Sequence, residues 1–258
     1  FPENEILAEI YAQALEAKGV TVEKQLNIGA REVYVKALQN GEIDLVPEYS
    51  GNLLTYFDPE ADATEAGQVQ DALEAALPEG LQVLEPSEAE DKDSLNVTSE
   101  FAEANGLSSI GDLAELDQVR LGANPEFRTR SYGVPGMEEI YGIENIEFTP
   151  ISDGGGPATL KALLDGDIDV ADIYSTTPSI TENDLVTLDD PENMIAAQNV
   201  LPLINADKAS DTVVDVLDAV SAALTTEDLL DLNGQNQGAD KTDPAVLAKQ
   251  WLTDKGLI

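Results

Sequence analysis

Cysteine and histidine are both absent from the 258 residues of this chain. The chain therefore forms no disulfide bond, lacks the usual ligands of zinc and iron–sulfur centres, and has no Ser–His–Asp or Cys–His catalytic group. Basic residues are also scarce, since 13 Lys and Arg accompany 51 Asp and Glu and leave a formal charge of −38. A nucleic-acid-binding face needs clustered cations. We therefore expect no nucleic-acid partner, and no metal or other cofactor.

Long apolar runs are missing as well, because no stretch approaches the ~18 residues of a membrane-spanning helix. The chain is nevertheless 42% hydrophobic, in periodic runs that are typical of a folded protein and not of an acidic tail. A surface this acidic is typical of proteins soluble in concentrated salt, where a Debye length of about 3 Å at 1 M screens repulsion. The chain starts at Phe1 without an initiator Met or a signal peptide, so we expect a processed or truncated N-terminus.

Helical and strand patterns alternate along the chain, which predicts an α/β fold with a mainly parallel sheet. Apolar residues at helical spacing predict helices over 6–15, 31–39, 64–77, 99–105, 109–116, 135–141, 157–165, 211–224, 227–232 and 244–255. Alternation or short apolar runs predict strands over 20–26, 43–46, 81–84, 94–98, 119–123, 146–151, 168–173 and 200–204.

An internal repeat relates the two halves of the chain. Residues 36–50 and 161–175 align at an offset of 125 without a gap, and eight of the fifteen positions are identical. Each copy predicts a helix that ends at a glycine, Gly41 or Gly166, followed by a strand. A solenoid would show a shorter period and more copies, so the repeat predicts two similar α/β lobes.

The repeated tyrosines, Tyr49 and Tyr174, predict a ligand site. Each comes just past the carboxyl end of a predicted strand. Ligands of open α/β sheets bind outside these strand ends, and two facing lobes would bring both tyrosines to one cleft. We therefore interpret the pair as ligand-binding residues and not as half-buried core aromatics.

Several motifs, taken in order along the chain, resemble the osmoprotectant-binding proteins of quaternary-amine ABC importers, which bind glycine betaine, choline, carnitine or proline betaine. The resemblance covers essentially the whole chain, and the order and spacing of the motifs make it specific. The matching segments are Phe1–Leu7, Asn40–Asp44, Pro47–Gly51, Ala89–Asp93, Ile110–Leu113, Pro125–Phe127 with Arg130, Asp169–Ser175, Asp184–Val186 and Gln198–Leu203.

The resemblance implies an α/β protein with the two-lobed fold of type II periplasmic binding proteins and a ligand cleft between the lobes. Lobe one would comprise residues 1–90 and 198–258, and lobe two residues 91–197. Solute contacts from both lobes would favour a closed state, which would dock on a membrane permease.

The resemblance also implies roles for particular side chains. A quaternary ammonium donates no ordinary hydrogen bond, so aromatic faces hold it, and Tyr49 and Tyr174 would be walls of such a cage. A carboxylate is matched by a forked donor. Arg130 matches the carboxylate-holding arginine of the family, and Arg31, which opens a predicted helix, is the alternative.

Further candidates flank these positions. Asp91 matches an acid that lies near the ammonium in the family, Asn52 lies where a helix start would offer donors to a carboxylate, and Asp153 opens a glycine-rich turn before a helix. Two positions that carry cage aromatics in the family hold Asp93 and Gln198 here. The resemblance therefore supplies half of an aromatic cage and does not identify the solute.

These inferences predict the extracytoplasmic solute-binding component of an ABC importer, which binds glycine betaine or a related quaternary amine and is not an enzyme. Its partners would be that small molecule and the permease, and we expect a monomer at the extracellular face or in the periplasm, with a lipid anchor on a preceding segment as one option. A receptor for a more polar solute, such as an amino acid or polyol, and a solute-sensing domain remain alternatives. A two-carboxylate glycosidase fits less well, since no acid pair stands out from the acidic background.

Overall fold

The computed structural model describes residues 1–238 and 241–258, which divide into two compact units. Unit 1 contains Phe1–Asp91 and Ala197–Ile258, and unit 2 contains Lys92–Ala196. The lobe boundaries expected from the sequence differ from these by one residue at each crossing. Among the described residues, we find no helix with the length and apolar character that a membrane span requires.

Helices and strands alternate along much of the chain, which confirms the predicted α/β class. The strands are β1 (Leu45–Tyr49), β2 (Leu81–Val83), β3 (Leu95–Thr98), β4 (Val119–Ala123), β5 (Ile146–Pro150), β6 (Val170–Asp172), β7 (Leu185–Thr187) and β8 (Val200–Asn205). The α-helices are α1 (Pro2–Ala17), α2 (Arg31–Gln39), α3 (Ser50–Phe57), α4 (Ala66–Ala76), α5 (Ser99–Asn105), α6 (Val134–Glu139), α7 (Pro157–Leu164), α8 (Ser179–Glu182), α9 (Asp211–Ala223), α10 (Thr226–Gln237) and α11 (Pro244–Asp254). Short 3-10 helices cover Ile110–Glu115, Pro125–Arg128 and Ala206–Lys208.

The sheet of unit 1 has β8 in its centre, with β1 and β2 antiparallel on either side. Helix α1 packs against α9, α10 and α11. Its apolar face, including Ile6 and Ile10, shares a buried core with Leu217 and Trp251 of the C-terminal helices. Pro2 suits the first position of α1, where its missing N–H costs no hydrogen bond. The C-terminal helices thus hold the N-terminal helix against the strand that carries Tyr49.

The sheet of unit 2 has the order β5-β4-β6-β3-β7. Strand β4 runs parallel to β5 and β6, whereas β3 is antiparallel to β6 and β7. Its core contains Leu95, Val97, Leu121 and Met137. The prediction of a mainly parallel sheet is therefore wrong for unit 1 and holds only for the β5-β4-β6 part of unit 2. Periodicity along one strand carries no information on the direction of its neighbour.

The predicted strand over 20–26 is also wrong, because these residues have no strand structure. Val20 and Val22 are half-buried against the core of unit 1, and the ammonium of Lys24 lies 2.8 Å from a carboxylate oxygen of Glu9 on α1. The alternation of apolar and polar residues therefore reflects a loop that lies along the surface of the core. Helices α3 and α8 and strand β7 were not predicted.

The two copies of the repeat fold alike in their first part. Helix α2 is followed by Gly41 with φ of 71°, and α7 by Gly166 with φ of 75°. This left-handed conformation favours glycine, which explains the identity at this position. Strand β1 and strand β6 then follow. The second parts differ, because Tyr49 is the last residue of β1 whereas Tyr174 lies beyond the end of β6.

Candidate functional site

Tyr49 forms an aromatic pair with Phe1 in unit 1. The two ring centroids are 5.8 Å apart at an interplanar angle of 35°. Tyr49 is 6% exposed, whereas Phe1 is 44% exposed. The Tyr49 hydroxyl donates a hydrogen bond of 2.7 Å to Oε1 of Glu3 in the first turn of α1. Tyr49 is therefore held at both ends, by its strand and by a carboxylate. We call Phe1 and Tyr49 the aromatic pair.

Buried carboxylates act electrostatically on the hydroxyl of Tyr49, and Glu3 binds it directly. Burial raises the pKa of this hydroxyl well above its usual value, and the charges of Glu3, Asp91 and Glu48 raise it further. Glu3 and Asp91 are 2% and 6% exposed, respectively. An aromatic pair with acidic neighbours is suited to a cation, because ring faces and carboxylates both attract positive charge.

Arg31 and Glu48 form a buried, bidentate ion pair. Nε and Nη2 of Arg31 each lie 2.8 Å from a different oxygen of Glu48. The same carboxylate accepts hydrogen bonds from the hydroxyl of Tyr34 at 2.7 Å and from the backbone N–H of Tyr49 at 3.1 Å. The structure thus places the predicted ligand residue Arg31 beside Tyr49, with its guanidinium fork directed at Glu48.

Asn52 exchanges two hydrogen bonds with Gln198. The backbone N–H of Asn52 donates to Oε1 of Gln198 at 2.9 Å, and Nε2 of Gln198 donates to Oδ1 of Asn52 at 2.8 Å. The backbone N–H of Asp91 donates to the carbonyl of Gln198 at 3.3 Å. Gln198 lies at the start of the second segment of unit 1. It therefore connects the start of α3 with Asp91, the last residue of the first segment. At position 198, where the resemblance predicts an aromatic wall, the side chain is 1% exposed and holds the backbone.

Tyr174 lies in unit 2 at the edge where parallel strands end. Nδ2 of Asn124, just after β4, donates to the Tyr174 hydroxyl at 3.1 Å. Oδ1 of Asn124 accepts from the N–H of Gly154, after β5, at 3.1 Å. Residues after three neighbouring parallel strands therefore meet here, as expected for a ligand-binding edge. Tyr174 is half-buried.

Arg130 follows the 3-10 helix that comes after β4. Its Nη1 donates to the hydroxyl of Tyr132 at 3.2 Å, and the ring of Tyr132 packs edge-on against Phe127. The turn closes at Gly133, where a Cβ would lie 1.8 Å from the carbonyl oxygen of Phe127. Only glycine fits this close backbone approach, which fixes the course of the segment that presents Arg130.

Asp153 lies near the same edge and binds the start of α7. Its Oδ2 accepts from the N–H groups of Ala158 and Thr159 at 2.6 and 3.2 Å, and its Oδ1 accepts from the hydroxyl of Thr159 at 2.6 Å. These are the contacts of a residue that satisfies the free N–H groups of a helix start.

Asp93 occupies the second position, besides Gln198, at which the resemblance predicts an aromatic residue. It lies in unit 2 and is 8% exposed.

The sequence-predicted residues fall in both units, and we call the set in each unit a patch. The unit 1 patch contains Tyr49, Arg31, Asn52 and Asp91, and the unit 2 patch contains Tyr174, Arg130 and Asp153. Within the ranges that the structure describes, no cluster of three or more acidic side chains is arranged to hold a metal ion.

Sequence reasoning missed Glu3, Asn233 and Asn124 as members of these patches. Glu3 lies on the apolar stripe of α1, four residues before Leu7, and Asn233 lies four residues after Leu229 on the buried face of α10. A polar residue on an apolar helical face is a signal of a buried polar contact, and it was available in the sequence. Asn124 carries no such signal, because it lies in a loop.

Comparison with known proteins identifies the family. The family model OpuAC, described as the substrate binding domain of ABC-type glycine betaine transport system, matches residues 1–254. The glycine betaine-binding protein YehZ of Escherichia coli strain K12 is 28% identical over 98% of this chain and 88% of its own length. A glycine-betaine-binding protein of Pseudomonas aeruginosa is 31% identical over 55% of this chain and 49% of its own length.

Solved structures agree with this assignment. Apo YehZ from Escherichia coli has a TM-score of 0.70 at 26% identity, covering 100% of this chain and 96% of that one. A glycine betaine/carnitine/choline ABC transporter structure has a TM-score of 0.76 at 21% identity, covering 99% and 96%. These likenesses confirm the predicted fold of periplasmic binding proteins, and the family model confirms the predicted family. The chain belongs to the substrate-binding domains of ABC-type glycine betaine transport systems.

Proposed function

We propose that this chain binds a solute with a quaternary ammonium group, such as glycine betaine or choline, and presents it to the permease of an ABC importer outside the cytoplasm. The observation that carries the proposal is the aromatic pair of unit 1 with Glu3 and Asp91 beside it. A trimethylammonium group has positive charge and no donor, so it gains from aromatic faces and nearby carboxylates, at about 0.5–2 kcal/mol for each ring. We further propose that the chain acts as a monomer and carries out no chemical step.

Both patches take part in binding under this proposal. Tyr49 with Phe1 and Tyr174 would contact the ammonium, and Asp91 would add negative charge. Arg130 would hold the carboxylate of a betaine, because Nε and Nη2 of Arg31 are directed at Glu48. Asn52 and Asp153 would keep the backbone in position through hydrogen bonds at the start of α3 and of α7, respectively.

Isothermal titration calorimetry at high salt concentration tests the proposal with glycine betaine, choline, carnitine, an amino acid and a polyol. We expect saturable binding of the quaternary amines only. In a thermal-unfolding assay, a ligand at 100 times its Kd should add about 2.7 kcal/mol to the free energy of unfolding. Binding of the amino acid or polyol alone would replace the proposal with a polar-solute receptor.

Replacement of either tyrosine by leucine is expected to weaken binding of choline and glycine betaine by more than about tenfold, or about 1.4 kcal/mol. Tyr49→Leu and Tyr174→Leu keep apolar bulk and remove the aromatic face. Tyr141→Phe is the control, because the hydroxyl of Tyr141 binds Asp190 and belongs to neither patch. Unchanged affinity in both leucine variants, with unfolding temperatures near that of the wild type, would contradict the aromatic contact.

A further inference from the structure

Asn124 links the segments that follow three neighbouring parallel strands of unit 2. It lies just after β4 and is half-buried. Its Nδ2 donates to the hydroxyl of Tyr174 at 3.1 Å, and its Oδ1 accepts from the N–H of Gly154 at 3.1 Å. One amide therefore holds both the hydroxyl end of the Tyr174 ring, beyond β6, and the glycine-rich turn at 153–156, beyond β5.

The direction of both hydrogen bonds follows from the chemistry of the groups. A backbone N–H only donates, so the N–H of Gly154 faces the amide oxygen of Asn124, and the amide nitrogen faces Tyr174. The hydroxyl oxygen of Tyr174 is then the acceptor, and its own proton points away from Asn124. Leucine, which is similar in size to asparagine, supplies neither group, and an ionised aspartate supplies only acceptors.

The glycine-rich turn that binds Asn124 is itself fixed against the main chain next to Tyr174. A Cβ on Gly155 would lie 2.7 Å from Cα of Ile173, and φ of Gly155 is 73°, so only glycine suits this approach. The N–H of Ile173 in turn donates to the carbonyl of Ser94 at 3.0 Å. The main chain beside Tyr174 is therefore ordered, and Asn124 orders the other end of its side chain.

We infer that Asn124 is a positioning residue for solute binding, which holds the ring of Tyr174 in place before the solute arrives. This inference rests on the proposed function, in which Tyr174 contacts the ammonium. Asn124 acts through the Tyr174 hydroxyl and need not contact the solute. A side chain that is already ordered loses little rotamer freedom when the solute binds, so its positioning increases the affinity.

Asn124→Leu tests the inference by calorimetry with choline, because it removes both hydrogen bonds and keeps the size of the side chain. We expect choline binding to weaken by about threefold to tenfold, the cost of ordering one side chain on binding. Asn183→Leu is the matched control. Asn183 is also half-buried in unit 2, donates to the carbonyl of Ser179 and belongs to neither patch, so we expect a change of less than about twofold. Wild-type affinity in Asn124→Leu would overturn the inference.

A double-mutant cycle separates the positioning of Tyr174 from an effect on the turn alone. Tyr174→Phe keeps the ring and removes the hydroxyl that Asn124 binds. If Asn124 acts through this hydroxyl, Asn124→Leu weakens choline binding by less than about twofold in the Tyr174→Phe background. The same loss in both backgrounds would mean that Asn124 acts only through Gly154, and the inference would be wrong.

Asn124→Asp keeps the measurement decisive if Asn124→Leu does not fold. The carboxylate still accepts from the N–H of Gly154, and the Tyr174 hydroxyl can turn its proton towards the other oxygen. The ring is then held by a hydrogen bond of the opposite direction, so we expect choline to bind no more than about twofold less tightly than in the wild type. A loss as large as that of Tyr174→Leu would contradict the positioning role.

Fluorine NMR observes the ring without any solute. The chain has seven tyrosines, and after labelling with 3-fluorotyrosine the resonance that disappears in Tyr174→Phe belongs to Tyr174. We expect Asn124→Leu to narrow this resonance, because a released ring moves faster, and Asn183→Leu to leave it unchanged. A Tyr174 resonance as broad in Asn124→Leu as in the wild type would overturn the inference. Failure of the proposed function looks different, because the wild-type protein would then bind none of the quaternary amines while the Tyr174 resonance still responded to Asn124→Leu.

Discussion

Replacement of Glu48 by alanine is expected to lower the free energy of unfolding by about 3–5 kcal/mol. The carboxylate of Glu48 is fully buried and accepts hydrogen bonds from Arg31, Tyr34 and the backbone of Tyr49. Its removal leaves the Arg31 guanidinium, whose side chain is 9% exposed, without the counter-ion that it binds through two N–H groups. Chemical denaturation at a fixed salt concentration measures the change.

Two controls show whether the loss comes from the broken buried pair. Asp44→Ala removes an ion pair with Lys208 whose side chains are 50% and 52% exposed, and we expect a loss of less than about 1 kcal/mol. The double variant Arg31→Met with Glu48→Leu removes both charges and keeps apolar volume, so it should recover most of the stability of the wild type. A double variant as unstable as Glu48→Ala would mean that the hydrogen bonds to Tyr34 and Tyr49 are the main contribution.

Replacement of Arg130 by alanine is expected to separate two solutes that share an ammonium group. Affinity for glycine betaine should fall by about 30- to 100-fold, the equivalent of about 2–3 kcal/mol for lost charge-assisted hydrogen bonds. Affinity for choline, which has no carboxylate, should change by less than about threefold. Calorimetry with both solutes on one protein preparation gives the two ratios directly.

Arg128→Ala is the matched control for this experiment. Arg128 lies two residues earlier, is exposed, and places its guanidinium 5.7 Å from the ring centroid of Phe148. It has the same charge in the same segment, so its removal should leave both affinities within about twofold of the wild type. Equal losses of affinity for choline and glycine betaine in Arg130→Ala would show that Arg130 does not bind the carboxylate. Arg31 would then be the candidate for that role.

Local patterns in the sequence were sufficient for most helices and strands. The predicted ranges 31–39, 99–105 and 119–123 coincide with α2, α5 and β4. Each is a short apolar-periodic segment, and Gly106 with φ of 66° ends α5 as a left-handed cap. The pairing of strands could not be predicted in this way. Strand β8 pairs with β1 and β2 across more than a hundred intervening residues, and nothing in its own sequence specifies an antiparallel neighbour.

The repeat predicted that Tyr49 and Tyr174 each lie just past the end of a strand, which is correct for Tyr174 but wrong for Tyr49, the last residue of β1. Tyr49 is buried against α1 because Phe1 and Glu3, at the N-terminus of the chain, contact it. Tyr174 instead meets Asn124, which is 50 residues away in the sequence. These partners are outside the repeated segment, so identical residues in the two copies acquire different environments.

The contacts of the charged candidate residues are the part of the site that the sequence predicts least well. Arg31 and Asp153 are candidates because their residue types suit an anion or a cleft loop, but their contacts with Glu48 and the start of α7 depend on the folded chain. An isolated sequence shows which side chains carry charge. It does not show which of those charges are already paired within the protein.

The reciprocal hydrogen bonds between Asn52 and Gln198 have a consequence for the history of the family. The two residues are 146 positions apart, yet each supplies the donor or acceptor that the other needs. A lineage that exchanges the glutamine for an aromatic residue removes the donor to Oδ1 of the half-buried Asn52, which is unfavourable unless position 52 changes too. Positions 52 and 198 should therefore covary among members of the family. Glutamine at position 198 should occur with a residue at position 52 that hydrogen-bonds to it, and an aromatic residue at position 198 should occur with a different residue at position 52.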